Sequence, residues 1–347
     1  MTAESRRLVV RLDALAANVR AFASTGAGLI ARVDHDGFGH GLVPVARTCI
    51  EAGAAMLAVA DFDEACRLRE SGISIPLLVL RPHALIGSGD GPMDAVYAAV
   101  ATEGEALTAA RLGASGAHVV VDCGSAMRGI RPDDAGEVHR IGKVLPIAAL
   151  MGVADPSTPH AEASKALDVA GENAPGVPRH LHGTAGVLAG FGEHDAYVRV
   201  GRGLYGIPMS DGTPTGVCVM RLSGQVVTVK SIRAGEGVSY GYIYRAPRDG
   251  TIALVTCGYA DGVPRSLGNH ATVVVNGRSA RIIGRVAMDV VVIELGETSA
   301  RPGDEVVFLG DRGEGEPSVA EWASITGLDP VELATSIGPR VVRSYTR

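Results

Sequence analysis

The chain lacks the features that mark several large protein classes. It has no run of basic residues, and 32 basic against 38 acidic side chains leave a net charge of −6. Nucleic acid and anionic membrane surfaces both select a basic face, so neither is expected as a partner. No unbroken apolar run approaches the roughly 20 residues that a membrane-spanning helix needs. The opening stretch, MTAESRRLVVRLDAL, has no apolar core of the signal-peptide kind, and a cytoplasmic location is expected. The five cysteines (Cys49, Cys66, Cys123, Cys218, Cys257) are dispersed, with no CxxC spacing. That pattern suits reduced thiols rather than a disulfide framework. Cys123 falls near an expected strand end, where a small buried apolar residue is a plainer reading than a nucleophile.

What is present is globular and organised in two parts. The 347 residues are 46% hydrophobic, enough for two domains. Leu8–Leu12 alternates as a strand, and Asp13 starts a helix through Phe22. Apolar runs at Gly28–Val33, Met56–Ala60, Pro76–Leu80, Ala95–Val100, His118–Asp122, Leu145–Met151, His180–Thr184 and Tyr197–Val200 follow, most of them separated by helical patterns. Alternation of this kind predicts a parallel (β/α)8 TIM-type barrel. Past Ser210–Thr215 the rhythm stops, and β-branched runs with Gly and Pro punctuation predict a mostly-β domain. The fold class is therefore α/β. The barrel is expected over residues 12–211, and the β domain over 1–11 plus 212–347.

One stretch stands out: Ala31-Arg32-Val33-Asp34-His35-Asp36-Gly37-Phe38-Gly39-His40-Gly41. It reads as a strand end, a glycine-rich turn and a helix start. Catalytic groups of barrel enzymes sit at such strand ends. Here the end carries Asp34 and Asp36 and no lysine.

This stretch resembles the cofactor motif of the alanine racemases, Lys-Ala-Asp-Ala-Tyr-Gly-His-Gly. The resemblance continues in Gly237-Val238-Ser239-Tyr240-Gly241, Gly258-Tyr259-Ala260-Asp261-Gly262, Gly284-Arg285-Val286-Ala287-Met288-Asp289 and Gly338-Pro339-Arg340-Val341. It implies a barrel plus β domain, pyridoxal phosphate held by a lysine as a Schiff base, and a homodimer with the site shared between subunits. It implies that Tyr240 is an acid/base, that Tyr259, Met288 and Asp289 line the substrate approach, and that Arg199 faces the cofactor ring.

Several positions depart from the family pattern. The lysine falls on Asp34, the nearby phosphate tyrosine on Phe38, the second phosphate tyrosine on Val331 and the ring histidine on Val153. The family's modified lysine falls on Val120, and its partner arginine on Met127, one residue before Arg128. In the phosphate pair only the hydroxyl of Thr184 survives. A carboxylate cannot form the Schiff base. These losses lead to the expectation that pyridoxal phosphate is absent.

On that expectation the chain is a racemase-fold enzyme repurposed to work without the cofactor. Tyr240 and Asp34 would act as acid and base in an isomerisation, cyclisation or elimination of a small, activated anionic substrate. Arg199, Arg202, Arg32, Asp36, His180, His182 and Thr184 are candidate binding residues, with Tyr259, Met288 and Asp289 at the approach. Alternate residues of a strand share a face, which puts Arg32, Asp34 and Asp36 together, and His180 with His182. A buried Arg32–Asp34 ion pair in a dead site is the opposing reading. Two further alternatives stay open: a non-catalytic pseudo-racemase that binds a ligand or partner, and a residual alanine racemase. A metal held by Asp34, Asp36 and the histidines is the weakest option, and no metal is expected. His118 reads as an ordinary strand residue.

Overall fold

The computed structural model describes residues 5–82, 93–155 and 157–347. The chain divides into two units, one from Leu15 to Leu204, the other combining the residues up to Ala14 with those from Tyr205 onward.

The first unit is the barrel. Numbering strands along the chain, β1 (Arg7–Arg11) belongs to the other unit. The barrel strands are β2 (Gly28–Arg32), β3 (Met56–Val59), β4 (Leu77–Val79), β5 (Val96–Val100), β6 (Gly116–Asp122), β7 (Ile147–Val153), β8 (Arg179–His180) and β9 (Tyr197–Val200). They pair in parallel in the order β9-β2-β3-β4-β5-β6-β7-β8. Ala196 N donates to Arg179 O at 2.9 Å and Arg199 N to His182 O at 2.8 Å, which closes the ring between β8 and β9. Every residue of β3 and β4 is buried, as expected for strands covered on both faces. Ile30, Met56, Ala58, Leu78, Ala99, Val120 and Met151 fill the interior. Helices form the outer ring, several of them started by a side-chain cap: Asp61 accepts from Glu64 N, Thr102 from Glu105 N and Asp134 from Glu137 N.

One strand, β8, ends well before its predicted run does. The expected His180–Thr184 strand stops at His180, and Thr184 already begins a helix, Thr184–Leu188, with Gly183 before it. This shortening matters for the histidines below.

The second unit is a β domain. Two short strands, β11 (Gly237–Val238) and β12 (Tyr244–Arg245), pair as a hairpin. The main sheet runs β13 (Gly250–Thr256), β16 (Val290–Glu294), β15 (Arg278–Ile283), β14 (Thr272–Val275), β17 (Glu305–Leu309), β10 (Met220–Ile232), β1 and β18 (Val342–Thr346), with β10 also pairing β13. That extra pairing closes β10, β13, β14, β15, β16 and β17 on themselves. β1 lies antiparallel to β10 and parallel to β18. Trp322, on the helix Val319–Thr326, is 1% exposed. Among the described residues, no helix is long and apolar enough to cross a membrane.

Candidate active site

The C-terminal end of β2 carries the most unusual backbone in the barrel. The expected turn before a helix is a left-handed one: His35, Asp36 and Phe38 have φ of 56°, 56° and 54°, and Gly37 and Gly39 have 64° and 77°. Left-handed backbone costs a non-glycine residue about 1–2 kcal/mol. The turn persists because its polar groups are held. Asp36 N donates to Glu64 Oε1 at 2.7 Å, Leu42 N to Asp36 Oδ1 at 3.1 Å, and Gly41 N to Asp36 O at 2.7 Å. Arg67 reaches Asp36 Oδ1 at 3.2 Å. His40 is fully buried, with Nδ1 donating to Phe38 O at 2.9 Å. Asp36 thus staples the turn instead of sharing a ligand-facing side with Asp34. The alternation invoked for it ends with the strand at Arg32.

Asp34 itself is 1% exposed and bound on both oxygens by Arg32, Nε at 3.0 Å and Nη2 at 2.7 Å. A two-point guanidinium–carboxylate contact is the strong form of an ion pair. The Arg32 guanidinium also lies 5.6 Å from the centre of the Phe38 ring. His35 Nε2 is 3.9 Å from Asp34 Oδ2 and bonds Arg81.

Deeper in the barrel lies a hydrogen-bonded chain of three. Arg199 Nη1 donates to His180 Nδ1 at 3.1 Å, and His180 Nε2 is 3.0 Å from His118 Nδ1. Arginine only donates, so His180 Nδ1 accepts; a neutral His180 then carries its proton on Nε2 and gives it to His118. Burial, and after it the charge of Arg199, brings His118 down to about 4. Burial, Arg199 and His118, in that order, also hold His180 well below 6.5. Burial lowers Arg199 to about 10, still charged at neutral pH. His118 is therefore more than an ordinary strand residue. The signal was available: it shares the inward face of β6 with Val120 and Asp122. Tyr97 and Tyr197 pack against it at centroid distances of 5.7 and 6.4 Å.

His182 does not join His180. The chain has left the strand, and His182 Nδ1 sits 2.7 Å from Asp195 Oδ2, with Nε2 3.0 Å from His160 Nδ1. His160 in turn stacks on Phe191 at 3.8 Å. The candidate metal ligands therefore do not converge, and no group of three or more such side chains suited to a metal occurs among the described residues. Thr184 Oγ1 accepts from Gly203 N at 3.3 Å, tying the helix start to the turn Arg202–Tyr205 that Arg202 opens. Asp122 closes the loop after β6, its Oδ1 accepting from the amides of Gly124, Ser125 and Ala126. In that loop Arg128, which the sequence left unassigned, donates to Leu80 O, Ala99 O and Glu105 Oε2, each at 2.7 Å.

The β domain presents the other candidates. Tyr240 is 72% exposed on the turn Tyr240–Tyr242, which Ser239 Oγ anchors by donating to Arg285 O at 2.8 Å. Tyr259 and Met288 are also exposed, Tyr259 under the guanidinium of Arg265 at 5.7 Å. Asp289 is half-buried, and its carbonyl accepts from Arg6 Nη2 at 3.4 Å. Beneath them Asp261, fully buried, accepts from Arg6 Nε at 3.0 Å and from Gly258 N at 3.0 Å, which fixes the Gly258–Gly262 segment.

Two family models match most of the chain: the alanine racemase N-terminal domain over residues 10–208, and its C-terminal domain over residues 219–345. The chain belongs to the alanine racemase family. It is similar to the alanine racemase of Thermobifida fusca, 35% identical over 97% of each chain. Among solved structures it resembles the alanine racemase of D-cycloserine-producing Streptomyces lavendulae (TM-score 0.88, 32% identity, 100% of this chain and 98% of that one). It shares its fold with the alanine racemase of Bartonella henselae, described with covalently bound pyridoxal phosphate (TM-score 0.82, 22% identity, 99% of each chain).

These likenesses correct the functional expectation. A cofactor-free enzyme for isomerisation, cyclisation or elimination of an activated anion has no support among relatives that match nearly full length and are named alanine racemase. Likewise, the expected absence of pyridoxal phosphate gives way to membership of a family that depends on it. The family is one of isomerases, and of the readings left open by the sequence it favours the residual alanine racemase.

A covalent hold on the aldehyde of pyridoxal phosphate needs a primary amine. The lysines of this chain are Lys143, Lys165 and Lys230. The first two are exposed on the helices Ala135–Val144 and His160–Glu172, and the third is exposed on β10 of the other unit. No lysine stands on a barrel strand, so the residues do not fit a covalent tether.

Proposed function

We propose that the chain is an isomerase that inverts the α-carbon of alanine or a similarly small amino acid. The observation that carries this reading is the match to alanine racemases over both units and nearly the whole length. Inversion needs a proton to leave one side of the carbon and another to arrive on the opposite side. Tyr240 is the first proton-handling group, its phenol standing free of the turn that Ser239 anchors. Asp34 is the candidate on the other side. Arg32 must release one carboxylate oxygen before Asp34 can take a proton there. Arg199 and Arg202 are the candidate cations for the substrate carboxylate, with Tyr259, Met288 and Asp289 at the approach.

The working form in this proposal is a homodimer, with Tyr240 of one copy serving the barrel of the other, as the family resemblance implies. Support comes from the exposed Tyr240, Tyr242, Ile243, Tyr259 and Met288, apolar side chains that a second copy would cover. A cytoplasmic location is part of the same proposal, supported by five free cysteines.

The test is the formation of D-alanine from L-alanine by the purified chain, with and without added pyridoxal phosphate, read by a D-amino-acid oxidase couple. D-alanine should accumulate, and Tyr240→Phe should slow it by about 100-fold or more. No D-alanine under either condition contradicts the reading.

A further inference from the structure

We infer that this chain, unlike its Bartonella relative, makes no covalent bond to pyridoxal phosphate within its barrel, because the end of β2 presents an arginine–carboxylate pair and no amine. The inference rests on the family reading, which brings the cofactor into question at all.

The chemistry is restrictive. An aldehyde carbon bonds covalently to a protein nitrogen when an unprotonated primary amine attacks it and water leaves, giving a carbon–nitrogen double bond. Lysine side chains and the N-terminal amine can do this. A guanidinium is protonated and delocalised at working pH and cannot. A carboxylate has no nitrogen to offer. At the mouth of β2 the side chains are Arg32, with Nε and Nη2 both engaged, and Asp34, with both oxygens engaged. The other cations toward the interior are arginines too: Arg199 on His180, and Arg128 on Glu105 and two strand carbonyls. Lys143 and Lys165 sit exposed on outer helices, and no flexing of a side chain carries an amine from there through the wall of strands. Lys230 is exposed on β10.

Reductive trapping decides the matter without reading catalysis. The full-length chain is incubated with pyridoxal phosphate over a concentration series, reduced with borohydride, digested and mapped by mass spectrometry. The wild type should yield no pyridoxyl adduct in the barrel. Lys143, Lys165, Lys230 and the N-terminal amine should label only in proportion to reagent, without saturation. Asp34→Lys should gain a saturable, stoichiometric adduct at position 34. Arg32→Leu combined with Asp34→Lys does the same without two cations side by side, and circular dichroism checks that each variant is folded. A saturable, stoichiometric adduct on any lysine of the wild type overturns the inference. So does a folded pair of variants that gains nothing at position 34. Alanine inversion assayed on the same samples keeps the two claims apart. Inversion without an adduct supports both the proposed activity and this inference, whereas neither signal removes the proposed activity alone.

Discussion

Replacing His118 by asparagine should flatten the acid side of the barrel's stability curve. His118 is 1% exposed, and burial followed by the charge of Arg199 brings it from 6.5 to about 4. In the unfolded chain the same imidazole takes its proton near pH 6.5, the ordinary value. Between those two values the unfolded state binds more protons than the folded one. Stability is therefore full above pH 6.5 and falls as the pH drops toward 4. At about 1.4 kcal/mol per pH unit, that interval amounts to about 3 kcal/mol from this one side chain. His180 acts in the same direction, because burial, Arg199 and His118 hold it well below 6.5 as well. Asparagine at position 118 can still accept the Nε2–H of His180 through its amide oxygen, but it does not titrate. The measurement is hydrogen-exchange protection of Gly116–Asp122 and Ile147–Val153 at several pH values from 7 to 4, corrected for intrinsic rates. The wild type should lose about 3 kcal/mol or more of protection over that range. The variant should lose less by about the share assigned to His118. Parallel losses in the two proteins would refute the buried, neutral histidine pair.

Other outcomes follow from the same geometry. Arg32→Ala takes the two-point partner from a buried Asp34, and should cost about 3 kcal/mol or more of thermal stability. Asp34→Ala leaves only the partly exposed Arg32, and should cost about 1 kcal/mol; equal losses would mean that the pair is not buried asymmetrically. Gly129→Ala would place a Cβ 2.4 Å from the backbone nitrogen of Asp122 at a φ of 138°, so the loop carrying Arg128 must shift. A loss of about 2 kcal/mol or more in the melt is expected, and a neutral result would show that the loop lies elsewhere.

The barrel was legible because its strands are short apolar runs separated by amphipathic helices, a pattern set by burial on both faces. The end of β8 was not. Apolarity alone could not show that Gly183 and Thr184 turn the chain into a helix, and that turn is what sends His182 to Asp195 instead of beside His180. The left-handed turn at His35–Phe38 escaped for a related reason. Local propensity disfavours it, and it is held by Glu64 and Arg67, which only the fold brings near. The Arg32–Asp34 pair was among the readings open from spacing, since two residues on one strand face lie within reach. His118 reads from sequence as an ordinary strand residue because its partners, His180 on β8 and Tyr197 on β9, lie far along the chain. The family was legible from the motifs around Tyr240, Tyr259 and Met288. Its activity is less legible, because Asp34, Phe38 and Val153 depart from the family pattern at the cofactor positions while the rest of the chain keeps it.

The most direct test of the family reading is proton exchange at the substrate's α-carbon. L-alanine in deuterium oxide is incubated with the wild-type chain and with Tyr240→Phe, pyridoxal phosphate being supplied to both, and the α-proton signal is followed by NMR. The account predicts that the signal fades with the wild type and persists with the variant. An α-proton that survives the wild-type incubation unchanged would contradict it.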